Sequence, residues 1–351
     1  MEFVFEPARS RVVFGAGCIA RLGAEADLLG VSRILIVGTP GRSELLGRAR
    51  DLLAGRVAGT FGGAAVHVPG KVAEDARESA SAHRADAILA VGGGSAIGAA
   101  KAIALTTDLP IIALPTTYSG SEMTPLWGLT QDGAKRTGRD LRVQPRTVLY
   151  DPELSLDLPV SVSATSGMNA IAHCVEALYA PDANPVTSWM AEEGIRSLAA
   201  SLPAIAVSPR DLAARTQAMY GAWLAGSALG AVQMGLHHKL CHTLGGSFNL
   251  PHAETHSVLL PYTAAYNMSS AGEAMRTVER ALGESPAPRA LYDLERRLGT
   301  PESLAAIGLS SDDLERAADL AVERPYPNPR PVTREGVLTL LQRAFKGSPA
   351  G

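Results

Sequence analysis

The chain has 351 residues, of which 46% are hydrophobic and 19% charged, with a formal net charge of −3; that excludes a disordered chain and argues for two domains rather than one core. The slight negative charge excludes an electrostatic partnership with nucleic acid or an anionic membrane. The best apolar stretch, from Ala87, is broken by Lys101 and Pro110, too early to span a bilayer, and MEFVFEPARSR at the N-terminus with three scattered cysteines (Cys18, Cys174, Cys241) predicts a protein of the reducing cytoplasm.

In chain order, residues 11–14 (RVVF), 33–37 (RILIV), 64–68 (AAVHV), 86–91 (DAILAV), 110–114 (PIIAL) and 147–150 (TVLY) are predicted strands. They are short, rich in Val and Ile, and bounded by Gly, Pro or Asp. Residues 42–53 and 72–85 carry apolar side chains at helical spacing. Strand–helix–strand alternation predicts a doubly wound, mostly parallel sheet, an α/β Rossmann-like dinucleotide domain over 1–158. From about Ser163 the strand-like runs nearly vanish. Helical patterns at 188–200, 212–225, 274–282 and 289–298, with caps at Ser310, Ser311 and Thr333, predict an all-α domain over 159–351.

DAILAVGGGSAIGAAK (86–101) is a strand, three glycines and a serine, then a helix. Glycines allow close backbone approach, and a helix N-terminus offers free N–H groups to a pyrophosphate. The polar turn from Pro115 to Glu122 follows the next strand, and two such loops at neighbouring strand ends form the crevice in which open α/β sheets bind ligands. After Val37 the chain reads Gly38-Thr39-Pro40. With no carboxylate there to repel a 2′-phosphate, NADPH is expected to compete with NADH. Gly15-Ala16-Gly17 lacks a third glycine and is discounted.

Five of the eight histidines fall between His237 and His256. Asn169 with His173, His238 with His242, and His252 with His256 are spaced i, i+4, so each pair projects from one helix face. A Gly-Gly loop and Pro251 are expected to separate two converging helices. Such imidazoles ligate a divalent metal or act as acids and electrophiles on a carbonyl substrate. Cys241, beside His242, is read as a small buried hydrophobe.

The segments GGGSAIGAAK, PTTYSGSEMT, SGMNAIAHCVEALYA and HHKLCHTLGGSFNLPHAETH, in this order, resemble the iron-containing alcohol dehydrogenase superfamily over nearly the whole chain. With RPYPNPRP (324–331) they are most similar to its maleylacetate reductase branch, which reduces maleylacetate to 3-oxoadipate with NADH or NADPH in bacterial degradation of aromatic compounds. The resemblance implies that Gly93, Gly94 and Ser95 hold the pyrophosphate. Thr116, Thr117 and Ser121 match the second cofactor loop, and Lys135 a lysine near the nicotinamide ribose. His173, His238 and His252 match metal-binding histidines of the alcohol dehydrogenases, and His242 a histidine beside the nicotinamide. It also implies a homodimer.

Three departures stand out: Asn169 where the dehydrogenases have an aspartate, Gly98 where an aspartate is common, and a shorter PTT loop. An amide at 169 removes a charged oxygen ligand, so no metal is expected; one that did bind would take Asn169, His173, His238 and His252. His242 or His238 is then the acid or oxyanion donor, with His173 and His252 completing the pocket. The small dianionic substrate calls for cations and hydrogen bonds, with Lys239, Arg324, Arg330 and Tyr326 as candidates. The alternatives are a metal-dependent alcohol dehydrogenase of the same superfamily and, more remotely, a non-catalytic histidine-rich metal-binding protein.

Overall fold

Short β-branched runs bounded by turns form the framework of the first half of the computed structural model, which describes residues 2–6, 9–41, 43–131 and 134–350; the side chains at 131, 134 and 135 fall outside that description. Strands β1 (Arg11–Phe14), β2 (Ile34–Gly38), β3 (Val57–Phe61), β4 (Ala87–Gly92), β5 (Ile111–Pro115) and β8 (Thr147–Tyr150) make one sheet in the order β1-β8-β5-β4-β2-β3. Every pairing is parallel. Strands β6 (Leu126–Gln131) and β7 (Ala134–Arg139) form a separate antiparallel hairpin.

β2, β4 and β5 are buried along their whole length, as strands of a sheet covered on both faces must be. Alternate residues feed opposite cores. Ile34, Ile36, Leu89 and Val91 pack with Ile19, Leu22 and Leu53, whereas Leu35, Val37, Ile88 and Ala90 pack with Ala76, Ile97 and Ile103. The covering helices are α1 (Leu22–Leu29), α2 (Ser43–Leu52), α3 (Gly70–Ala82) and α4 (Gly94–Thr107). Lys101 of α4 is buried and donates to the carbonyls of Thr124 and Leu126 and to Thr124 Oγ1, tying α4 to the start of the hairpin.

One expected strand is absent. Residues 64–68 are irregular, with His67 and Val68 at φ 61° and 44°, a backbone that strands do not adopt. Val57–Phe61 forms one edge of the sheet instead, beside β2. Its Gly59 has no room for a side chain, since a Cβ there would collide with the His83 ring, and that glycine blurs the strand pattern.

The second half is helical: α5 (Val160–Leu178), α6 (Pro185–Val207), α7 (Leu212–Ala231), α8 (Leu236–Ser247), α9 (His252–Asn267), α10 (Gly272–Leu282), α11 (Ala287–Leu298), α12 (Leu314–Val322) and α13 (Arg334–Lys346). Thr333 caps α13 as expected, and Ser310 caps a 3-10 turn that leads into α12. Gly245 and Gly246 do not form a loop: they lie inside α8, and the break comes at residues 248–251. The chain separates into two compact units, Pro7–Leu158 and Pro159–Gly351 with Met1–Glu6. Among the described residues, no helix is long and apolar enough to cross a membrane.

Candidate active site

In the α/β unit, β4 ends at Gly92 (φ +141°) and the chain enters α4 through extended Gly93, which no side chain caps. The first helical bond runs from Ile97 N–H to the Gly93 carbonyl, so the N–H groups of Gly94, Ser95 and Ala96 have no intrahelical acceptor. The second loop lies against this one: Thr116 N–H donates to the Gly92 carbonyl at 3.1 Å, and a Cβ on Gly93 would stand 2.7 Å from Thr117 Oγ1. Gly93 is therefore required by the approach of the Thr117 side chain. Gly98 answers a different contact, with Val68 Cγ2 2.7 Å from where its Cβ would be.

β2 pairs with β4 so that Gly38 lies opposite Val91. Half-buried Thr39 thus follows the strand beside the glycine loop, where the strand order reverses and open sheets bind ligands. Half-buried Ser121 opens a 3-10 turn after the second loop. The backbone at Lys135 is in β7, and its side chain lies outside the described residues. Gly15-Ala16-Gly17 holds no open cradle, because Asp151 accepts from Gly17 N–H and Ile19 N–H at 3.0 Å each.

In the helical unit, Asn169, His173 and Glu176 occupy one face of α5, His237, His238 and His242 sit on α8, and His252 and His256 open α9. His173 Nδ1 lies 2.8 Å from His238 Nε2, and Asn169 Nδ2 lies 3.3 Å from His173 Nε2. His237 Nε2 lies 2.9 Å from His256 Nδ1. His242 and His252 are half-buried and their rings stack at 6.3 Å, so this pair is more open than His173 and His238, which are 3% and 6% exposed.

Glu176 escapes a reading of the sequence because it looks like one more residue of an amphipathic helix. It is fully buried, accepts from His238 Nδ1 at 2.6 Å and from the N–H groups of Gly235, His237 and His238, and so caps α8 from a neighbouring helix. Burial opposes its ionisation. The hydrogen bond from His238, the adjacent His238 and His237 rings and the His237 N–H nevertheless hold its pKa below the ordinary carboxylate value. Burial pushes the His237 imidazole down to about 3 and His256 well below its ordinary value, so both are neutral.

As they stand, two of these donors are bonded to each other rather than set around an ion. Two imidazole nitrogens on one tetrahedral ion stand about 3.3–3.4 Å apart, from bond lengths near 2.0–2.1 Å, but His173 and His238 meet at 2.8 Å in a hydrogen bond. The donor set has an amide in place of a carboxylate. The histidine that converges with His173 and His238 is His256 rather than His252.

Lys239 is half-buried on α8. Tyr326 is half-buried against the apolar cluster of α8, α9, α12 and α13, and its hydroxyl has no hydrogen-bond partner. Arg324 is exposed. Arg330 lies 4.3 Å over the Tyr266 ring and donates to the Tyr266 carbonyl, a structural engagement. Cys241 is fully buried, 3.7 Å from His237 Nε2.

A family model for iron-containing alcohol dehydrogenase matches residues 9–152, and one for the C-terminal part of the Fe-containing alcohol dehydrogenase family matches residues 163–345. The chain is 54% identical over 345 residues to a maleylacetate reductase of Burkholderia cepacia, covering 98% of each chain. It is 51% identical over 349 residues to one from Pseudomonas sp. strain P51, covering 99% of each. The crystal structure of maleylacetate reductase from Agrobacterium tumefaciens superposes with a TM-score of 0.95 at 48% identity, covering 99% of both chains.

Proposed function

The chain belongs to the iron-containing alcohol dehydrogenase family, and we propose that within it the chain reduces the carbon–carbon double bond of maleylacetate to give 3-oxoadipate, with NADH or NADPH. The identity to maleylacetate reductases across essentially the whole chain carries this reading. Bound at the Gly93–Ser95 cradle, the nicotinamide cofactor supplies the hydride. With Thr39 and no carboxylate after β2, nothing at that point repels a 2′-phosphate.

The double bond of the substrate is conjugated to a ketone. Reduction at the carbon β to that ketone leaves an enolate, and the protein must stabilise the oxyanion and protonate the adjacent carbon. Both ring nitrogens of His238 are engaged, by Glu176 and His173. Half-exposed His242, the more open of the two, is assigned as the donor to the developing charge, with His252 stacked beside it and His173 and His238 behind. Lys239 is the nearest cation in sequence for a substrate carboxylate. Neutral imidazoles can do this work without a Lewis acid, consistent with Asn169 and with the 2.8 Å contact between His173 and His238.

The test is NADH oxidation on adding maleylacetate to chelator-treated protein, with metal content assayed alongside. Turnover without metal is expected, together with a fall of about 10²-fold or more in kcat for His242→Ala. Turnover of simple alcohols only, and only after a divalent ion is restored, would replace this reading with the metal-dependent dehydrogenase.

A further inference from the structure

Glu176 does more than cap α8. An ionised carboxylate can only accept hydrogen bonds, so the 2.6 Å contact with His238 Nδ1 requires hydrogen on that nitrogen. In a neutral His238 the Nε2 is then a lone pair, and His173 Nδ1, 2.8 Å away, is the donor to it. That in turn leaves His173 Nε2 as an acceptor, facing the amide nitrogen of Asn169 at 3.3 Å. Every hydrogen in the line Asn169–His173–His238 points toward Glu176.

A second line beside it is anchored by a hydroxyl instead. Thr263 Oγ1 gives its hydrogen to the carbonyls of Leu259 and Leu260 and so accepts from His237 Nδ1 at 3.0 Å. His237 Nε2 then accepts from His256 Nδ1, leaving His256 Nε2 as a buried lone pair with no partner. The second line meets Glu176 only through the backbone N–H of His237, so its ring hydrogens serve as an internal control.

We infer that Glu176 is a positioning residue for the proposed reduction: it sets the tautomer of His238 and, through it, of His173, so that both rings hold one orientation behind His242. This rests on the reading of the histidines as working groups. A neutral side chain at 176 lets His238 adopt the Nε2–H form, which would set it donor to donor against His173 Nδ1 and turn one of the two rings.

The test is the imidazole nitrogen spectrum of protein labelled with 15N-histidine, for wild type, Glu176→Gln and Glu176→Asp, with His238 assigned from the signals lost in His238→Ala. Wild type and Glu176→Asp are expected to show hydrogen on Nδ1 of His238. Glu176→Gln is expected to show the Nε2–H form or a mixture, while His237 and His256 stay unchanged. With maleylacetate, Glu176→Gln should lower kcat about 10–100-fold, the usual effect of removing the partner of a working histidine, with KM for NADH within about twofold. In a His238→Ala background the same change should have no further effect on kcat. An unaltered His238 tautomer in Glu176→Gln, or an equal loss of kcat in the His238→Ala background with a lower Tm, would reduce Glu176 to a helix cap and overturn the inference. Should Glu176→Gln not fold, retention of the Nδ1–H form of His238 in Glu176→Ala would overturn it equally. The spectra need no substrate, so failure to reduce maleylacetate would overturn the proposed function and leave this test standing.

Discussion

At position 169 the difference between an acid and an amide decides what the neighbouring imidazoles can do. An aspartate would bring a charged oxygen to His173; Asn169 brings an N–H that takes up the His173 lone pair. That residue and the histidine spacing were legible in the sequence. Glu176 was not, although a trace existed: Asn169, His173 and Glu176 are spaced four and three apart, on one face of a helix buried from Ser163 to Ala177. A second buried carboxyl shows what happens without such partners. Glu295 on α11 is 1% exposed, its Oε1 has no hydrogen bond, and burial raises its pKa well above the ordinary value against the pull of Arg296. The folded chain therefore holds this proton at pH values where the unfolded chain, titrating near about 4.3, has lost it. Its stabilising contribution is full below that pH and falls as pH rises toward the folded pKa. Glu295→Met removes the group, so the variant should gain on wild type as pH rises from 5 to 8, by about 1–3 kcal/mol in urea unfolding. A gap that stays constant with pH would mean that the carboxyl is ionised in the fold.

The start of α8 shows how one element orients several groups. Gly235 precedes the helix with φ −114°, so its backbone does not itself demand glycine; its neighbours do. A Cβ there would lie 2.8 Å from the Pro327 carbonyl oxygen, 3.2 Å from Glu176 Oε1 and 3.3 Å from Asn328 Oδ1. The 324–331 segment, read in the sequence as a source of cations for the substrate, thus packs against the helix that carries the histidines. Gly235→Ala should cost about 1–3 kcal/mol by forcing backbone apart and lower kcat by disturbing Glu176. Gly47→Ala in α2, where a Cβ meets nothing within 4 Å, should instead stabilise by about 0.5–1 kcal/mol. Urea midpoints and kcat for the two variants check both signs, and equal midpoints would contradict the packing argument. Elements buried on both faces, such as β2, β4 and β5, were legible because their apolar runs have no competing explanation. The edge strand β3 was not, since half-buried Val57–Phe61 includes a glycine and the apolar run at 64–68 turns on two left-handed residues. The Gly-Gly pair in α8 misled for a similar reason: glycine marks a turn in most contexts, but inside a buried helix it also leaves room for close packing.

On the scale of the whole molecule, charge and metal are linked. The chain carries 32 Lys and Arg against 35 Asp and Glu, and several arginines are already held by carboxylates, as Arg334 is by Glu315 and Asp319, and Arg196 by Glu192 and Glu193. Exposed pairs of this kind add little stability; the weight of Lys239 for a dianionic substrate comes instead from its half-buried place on the helix that carries the histidines. A resident divalent ion would alter that balance and would also contribute to folding, because an ion held only by the native state stabilises it by about 2.7 kcal/mol at 100 times its Kd. The hydrogen bonds among Asn169, His173, His238 and Glu176 engage both nitrogens of each of these two imidazoles, while the buried Asn169 Oδ1 has no partner. Dialysis against a chelator is therefore expected to leave Tm unchanged, and adding Fe²⁺ or Zn²⁺ back should not raise it. Free Cys and His in the unfolded chain also bind such ions, so any shift they cause should be downward. A Tm that falls by several degrees in chelator and recovers with one ion would mean that the imidazoles part to admit it, with the 2.8 Å contact between His173 and His238 opening to the wider spacing that coordination requires.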